Sequence, residues 1–229
     1  MDSWWLDELA HAGAEHLDPA YVAGYERKAG YDPADDVAVL VAHGVDERSV
    51  VVDLGAGIGV FTAAIAPHCG HVIAVDVSPA MRTAIGARVE RDGLGNVSVV
   101  EAGFLSYAHE GPPADAVFTR NALHQLPDFW KALALARVAG ILRPGGLLRL
   151  HDLVYDFEPQ EADRRIEEWM RGAVGDPADG YTANELATHL RTEFSTFSWL
   201  FEPMLERTGF TILERRYARG AYGAYTCRR

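Results

Sequence analysis

Cysteine is scarce in this chain of 229 residues: Cys69 and Cys227 stand alone, far apart, with no CxxC pair. Neither a disulfide framework nor a four-sulfur metal site is indicated, and no metal is expected. Positive charge is also short, 21 Lys and Arg against 33 Asp and Glu, for a formal net charge of −12. A surface that tracks phosphates would have to be built against the protein's own field, which weighs against bulk nucleic acid as a partner. Nowhere do about 18 apolar residues run without a charge, the length a membrane-spanning helix needs. The opening MDSWWLDELA is acidic where a secretory leader is basic, so a cytoplasmic protein with no membrane partner is expected. Internal repeats and low-complexity tracts are missing as well.

What the chain does have is an ordinary globular balance, 48% apolar and 24% charged, at a length suited to one α/β domain with a sizeable core. Short β-rich runs at 49–55, 71–77, 97–103, 115–121 and 146–154 are nearly continuous in apolar residues, as strands covered on both faces are. Helix-like segments alternate with them at about 58–67, 79–92 and 129–142. Ser78 followed by Pro79 reads as an N-cap with proline at the first helical position, and Pro144 with two glycines closes the third helix. Strand and helix in alternation predict a doubly wound, mostly parallel sheet. The last segment, TILERRYARGAYGAYTCRR, reads as an antiparallel hairpin around Arg219 and Gly220, bringing the sheet to seven strands. Two regions fall outside this rhythm: a helical N-terminal lid over 1–45, and a helical insertion at about 155–200 within a domain spanning 46–229. Both are candidates to cover the carboxyl ends of the strands, where open α/β sheets bind ligands.

The stretch VVDLGAGIGVFT puts Gly55, Gly57 and Gly59 directly after a buried strand. A turn stripped of side chains lets a ligand approach the backbone and its N–H groups. The spacing is GxGxG, with Val60 where the nicotinamide fingerprint has its third glycine, and no GK[ST] occurs. Asp53, at the strand's end, suits a ligand bearing an ammonium. Asp76, at the end of the second strand in VIAVDVSPAM, can accept both hydroxyls of a ribose. A nucleoside with an amino-acid tail and no phosphate fits both carboxylates.

On these residues the chain resembles the class I S-adenosylmethionine-dependent methyltransferases, whose fold is Rossmann-like. The resemblance runs over about residues 45–155: VVDLGAGIG matches the first motif, Asp76 the acidic residue after the second strand, DAVFTRNALHQLP the fourth strand and LRPGGLL the entry to the fifth. It implies S-adenosylmethionine as cofactor and S-adenosylhomocysteine as product. Gly55, Gly57 and Gly59 would border the methionine part and ribose, Asp53 would meet the amino group directly or through water, and Asp76, with Val77 beside it, would hold the ribose. Gly103 matches the third motif, but Phe104 stands where family members often carry an aspartate for the adenine amino group, so a packed aromatic wall is expected there. Arg120 and Asn121 would border the methionine carboxylate or offer backbone carbonyls near the amine. Tyr21 and Tyr25, one helical turn apart, either close the cofactor site from the lid or form an ordinary packing pair.

Methyl transfer needs alignment, exclusion of water and, for some acceptors, a base. His124, after the fourth strand, and His151 with Asp152, after the fifth, are the candidate catalytic groups on the acceptor side; Tyr155 and Asp156 are weaker candidates. The alternative for His124 is a residue that caps or packs its loop. HCGH at 68–71 lies on the edge away from the ligand end, and the stripe FSTFSWLFEPM, with Phe194, Phe197 and Phe201 at helical spacing, reads as core or lid packing. The leading expectation is methylation of an oxygen or nitrogen on a small-molecule acceptor. A protein or RNA methyltransferase of the same fold, and a protein that binds the cofactor without transferring the methyl, are the alternatives.

Overall fold

A computed structural model describes residues 4–229; residues 1–3 of the expected lid lie outside the described residues. The parallel strands are β1 (Val50–Leu54), β2 (His71–Asp76), β3 (Val97–Glu101), β4 (Ala114–Arg120) and β5 (Leu142–Tyr155). The C-terminal strands β7 (Thr211–Ala218) and β8 (Tyr222–Arg228) pair antiparallel, and β8 inserts between β5 and β7 to give the order β3-β2-β1-β4-β5-β8-β7. These are the seven strands expected, in a Rossmann-like doubly wound sheet with a terminal hairpin. An eighth piece, the two-residue β6 (Thr196–Phe197), pairs with the end of β5. The hairpin turn falls at Arg219 and Gly220, whose φ values of 54° and 68° are the left-handed pair that matches strand twist.

Helices cover both faces because alternate strand residues point opposite ways. Val51, Val72, Ala116, Phe118 and Leu147 pack against Leu40 of α2 (Ala34–Ala42) and Phe61 and Ile65 of α3 (Val60–Ile65). Val52, Val75, Val117, Leu148 and Leu150 face Leu135 of α5 (Asp128–Ile141) and Phe201 of α8 (Ser198–Arg207). The helix α4 (Pro79–Arg91) starts as expected, with the Ser78 hydroxyl accepting from the Met81 N–H at 3.2 Å. The chain reverses its order beside β1, where β2 lies on one side and β4 on the other, and this opens a crevice at the carboxyl ends of the strands.

Three expectations change. The Pro144–Gly145–Gly146 segment does not close a helix but enters β5, where the pairing with β4 shifts register between Ala114 and Ala116. The N-terminal segment divides: α1 (Pro19–Ala29) lies over the crevice beside α4, whereas α2 is part of the packed face of the sheet. Phe194, Phe197 and Phe201 do not share a helix, because the Phe194 N–H donates to the His124 carbonyl at 2.9 Å and Phe197 lies in β6. No helix among the described residues is long and apolar enough to cross a membrane.

The α2 face is held by charge as well as by apolar contact. The Asp36 carboxylate, 3% exposed, accepts from Arg149 Nε at 2.7 Å, the Tyr31 hydroxyl at 2.7 Å and His151 Nε2 at 2.6 Å. Burial opposes ionisation, yet the donors His151, Tyr31 and Arg149 hold the carboxyl down to about 2 against an ordinary 3.8. Its contribution to stability is therefore present above about pH 4 and is lost as pH falls towards 2. Replacing Asp36 by Ala strands a buried guanidinium and should cost about 3–5 kcal/mol in urea unfolding at pH 7. Replacing Asp46, whose pair with Arg48 is solvent-exposed, should cost far less. Equal small losses would show that the buried cluster does not anchor α2.

Candidate functional site

The turn after β1 meets the start of α4 at one carboxylate. Asp76 Oδ2 accepts the Gly57 N–H at 2.8 Å and Oδ1 accepts the Ser78 N–H at 2.8 Å, which fixes both turns and leaves further lone pairs on each oxygen. Burial raises the Asp76 pKa, against the lowering effect of those two N–H groups. The three glycines do different things. All three have left-handed φ, 72°, 57° and 75° for Gly55, Gly57 and Gly59. A Cβ on Gly55 would lie 2.5 Å from Ala122, one on Gly59 would press Ile85 at 3.3 Å, and one on Gly57 would enter open space. Gly59 thus serves helix packing and lines none of the cavities. The expected free N–H groups are also engaged: Gly55 and Ala56 donate to the Val75 carbonyl, Gly57 to Asp76 and Gly59 to Ala56.

A first cavity opens over this junction, lined by Gly55, Gly57, Asp76, Val77, Gly103, Phe104, Arg120 and Asn121 among others. Phe104, 7% exposed, forms the expected apolar wall. Beside it the lid inserts Glu8, whose carboxylate accepts the Leu105 N–H at 2.9 Å, the Ser106 N–H at 3.0 Å and the Ser106 hydroxyl at 2.7 Å. The lid is fastened again where the Ser78 hydroxyl donates to the His16 carbonyl at 2.7 Å. Asp53 does not reach this cavity. It lines a recess behind the glycine turn, together with Tyr25, Tyr31, Gly55, Gly57 and Arg120, and accepts the Thr62 hydroxyl at 2.5 Å. Burial, helped by Asp76 and opposed by Thr62, pushes its pKa up to about 7.

A second cavity of about 350 Å³ adjoins the first, sharing His16, Tyr25, Asn121 and Gln125 as lining. Its walls come from α1, α6 (Ala162–Met170), α7 (Ala183–Thr192) and β8, and include Tyr21, Trp169, Tyr181 and Tyr222. Tyr21 therefore lies on this cavity and not on the first, while Tyr25 borders both. Asn121, at φ 49°, is one of two non-glycine residues with left-handed φ among the described residues. Asparagine tolerates that conformation better than most residues, and here it turns the chain between the cavities.

His124 is on the second cavity, 5% exposed. Its Nδ1 lies 2.5 Å from Asp152 Oδ1, its backbone N–H donates to Asp152 Oδ2 at 3.0 Å, and its Nε2 lies 2.9 Å from Glu193 Oε2. Burial works to lower its pKa, but Asp152 and Glu193 outweigh it and hold the imidazole up to about 9. With both nitrogens turned to carboxylates, neither stands free to act as the base expected from the sequence. Asp152 sits behind it as its carboxylate partner. His151 does not join them: neighbouring strand residues point to opposite faces, and His151 faces Asp36 on the α2 side. Tyr155 and Phe157 pack below α6 and α7 with Trp169.

Sequence reasoning missed Glu8, Asp36, His189 and Glu193. The last two stand at i and i+4 in HLRTE, a spacing that puts them on one helix face, and that was the available signal. The HCGH group does not assemble; Cys69 turns to the His71 carbonyl and His71 to Ser98.

Residues 51–146 match the family model described as a methyltransferase domain. An uncharacterized methyltransferase of Geobacillus kaustophilus is 26% identical over 209 residues, covering 89% of this chain and 88% of that protein. A ribosomal RNA small subunit methyltransferase A of Rubrobacter xylanophilus is 42% identical over 84 residues, 34% of this chain and 30% of its own length. The fold is similar to that of magnesium protoporphyrin IX methyltransferase from Synechocystis, solved with bound S-adenosylmethionine, at a TM-score of 0.66 and 16% identity over 99% of both chains. With the glycine turn, the Asp76 junction and the strand order already described, these matches identify residues 51–146 as a methyltransferase domain, in a chain with the fold of the S-adenosylmethionine-dependent methyltransferases.

Proposed function

We propose that the chain methylates an oxygen or nitrogen of a small-molecule acceptor held in the second cavity. The observation that carries this reading is the contact between the two cavities at His16, Tyr25, Asn121 and Gln125, which would let a methyl donor in one face an acceptor in the other. A volume of about 350 Å³ within aromatic walls suits a small organic molecule. The net charge of −12 opposes a phosphate backbone, and the stretch shared with the ribosomal RNA methyltransferase is about a third of each chain.

The cofactor is assigned to the first cavity, whose lining carries the residues expected to hold it. Bound there, S-adenosylmethionine supplies a methyl group on a positively charged sulfur. Asp76 would accept the ribose hydroxyls with the lone pairs that Gly57 and Ser78 leave free, and Val77 would border the sugar. Gly57, with open space where a Cβ would lie, admits the ligand against the backbone. Gly103, Phe104 and Glu8 would border the adenine, Glu8 bringing a carboxylate beside the position where Phe104 has none. Arg120 and Asn121 would flank the methionine end, and Asp53 would act on its ammonium through the recess. Tyr25 closes the junction. His124, with Asp152 behind it, becomes a polar wall of the acceptor cavity, leaving alignment and exclusion of water as the main catalytic contributions, worth roughly 7–11 kcal/mol.

Incubation of the purified protein with methyl-labelled S-adenosylmethionine and a panel of phenols, amines and carboxylic acids should release S-adenosylhomocysteine with a labelled small product. Label entering total RNA or protein instead, under the same conditions, would overturn the small-molecule reading.

Asp53 gives a pH signature. An ammonium ligand favours the ionised carboxyl, and Asp53 ionises with a pKa of about 7 in the free protein. Affinity for S-adenosylmethionine should therefore rise between pH 5.5 and 7.5 in titration calorimetry, and the rise should vanish in Asp53→Asn. An equally steep rise in the variant would remove Asp53 from the cofactor site.

A further inference from the structure

Three ligating side chains converge in the wall of the second cavity. His124 comes from the loop after β4, and His189 and Glu193 come from the end of α7. Glu193 Oε2 lies 2.9 Å from His124 Nε2 and 2.5 Å from His189 Nδ1, and the three ligand atoms all fall within 4.8 Å of one another. Both histidines are buried and Glu193 is partly so.

The outer nitrogens of both rings are already committed. His124 Nδ1 faces Asp152 at 2.5 Å, and His189 Nε2 faces the Ser195 hydroxyl at 2.8 Å. Metal-binding histidines are typically oriented in this way, the second nitrogen hydrogen-bonded to a carboxylate or other oxygen while the first points inward. The backbone is held as well: the Phe194 N–H donates to the His124 carbonyl, and the buried Lys131 bonds both Asp128 and the Phe194 carbonyl. Trp169 packs edge-on against His189, with ring centroids 6.0 Å apart. The Gln125 amide, 3.2 Å from His124 Nε2, borders both cavities.

We propose that His124 Nε2, His189 Nδ1 and the Glu193 carboxylate bind a divalent transition-metal ion, with its remaining coordination positions open to the second cavity. Two imidazoles and one carboxylate suit zinc, iron, cobalt or nickel better than magnesium or calcium, which prefer all-oxygen shells. Ligand atoms at about 2.0–2.1 Å from a tetrahedral ion lie about 3.3 Å apart, so Glu193 needs to withdraw from the two rings by less than about 1 Å and the two ring nitrogens, within 4.8 Å of each other, need to reach that same spacing. Glu193 is at the C-cap of α7, outside the helical repeat, where such a shift disturbs no helical hydrogen bond of its side chain. An ion here would face the acceptor space, giving an anionic or hydroxyl-bearing molecule a Lewis-acidic partner. The site itself stands on these side chains alone and not on the acceptor class proposed above.

Full-length protein stripped with a chelator and titrated with zinc should take up one ion per chain by calorimetry and elemental analysis. Cobalt should give the intense visible bands of a four- or five-coordinate nitrogen–oxygen site. Ser195→Ala, which leaves all three ligands in place, should weaken zinc binding by about 10- to 100-fold. Glu193→Gln and His189→Ala should abolish stoichiometric uptake, together with the rise in melting temperature that zinc gives the parent, while each variant retains the parent's circular dichroism. His68→Ala, on an exposed histidine, should behave as the parent. The proposal is overturned if the parent takes up no zinc at micromolar concentration, or if Glu193→Gln and His189→Ala bind it as the parent does.

Discussion

The carboxylate of Asp76, held between two backbone N–H groups, is the contact on which the site depends. One N–H belongs to Gly57 in the turn after β1 and the other to Ser78 at the cap of α4, so a single side chain sets the distance between two βα turns. That junction lies where the strand order reverses, and the reversal opens the crevice. Had either turn carried a bulkier or less permissive residue, the carboxylate would lose a donor and the cavity its floor. The left-handed φ of Gly57 and the proline at the first position of α4 are therefore parts of one device.

The N-terminal segment turns the crevice into two rooms. Glu8 caps the turn at 103–106, the His16 carbonyl accepts from Ser78, and Arg88 of α4 pairs with Glu26 of α1. On the other side Lys28, at the end of α1, reaches Glu185 of α7 at 2.5 Å, joining the two helical coverings across the second cavity. These contacts join charged or backbone groups of the lid to charged, hydroxyl or backbone groups of the sheet domain. The first cavity thus rests on the sheet's own turns with the lid closing one side, and the second is walled mainly by segments that the sheet does not dictate.

That division explains what could be read from the sequence. Apolar runs with strand periodicity, the GxGxG turn, Asp76 and the Arg219–Gly220 turn are local signals, and each marks a feature present in the fold. The interactions that fasten the N-terminal segment to the sheet are not local. Asp36 and His151 meet across 115 residues, and Glu8 and Leu105 across 97, with no pattern in either segment to announce the pairing. His151 and Asp152 were adjacent in the sequence and therefore easy to join in one site, yet strand alternation sends them to opposite faces. His124 looked like a free base from its place after β4. Its two carboxylate partners, from β5 and from the end of α7, change what it can do.

The central claim is that Asp76 holds the cofactor's ribose, and calorimetric titration of S-adenosylhomocysteine into the parent and Asp76→Ala tests it most directly. Loss of an ionised acceptor should weaken binding by about 1.5–3 kcal/mol, roughly 10- to 150-fold, with the circular dichroism spectrum unchanged. Binding to a folded Asp76→Ala as tight as to the parent would contradict the account.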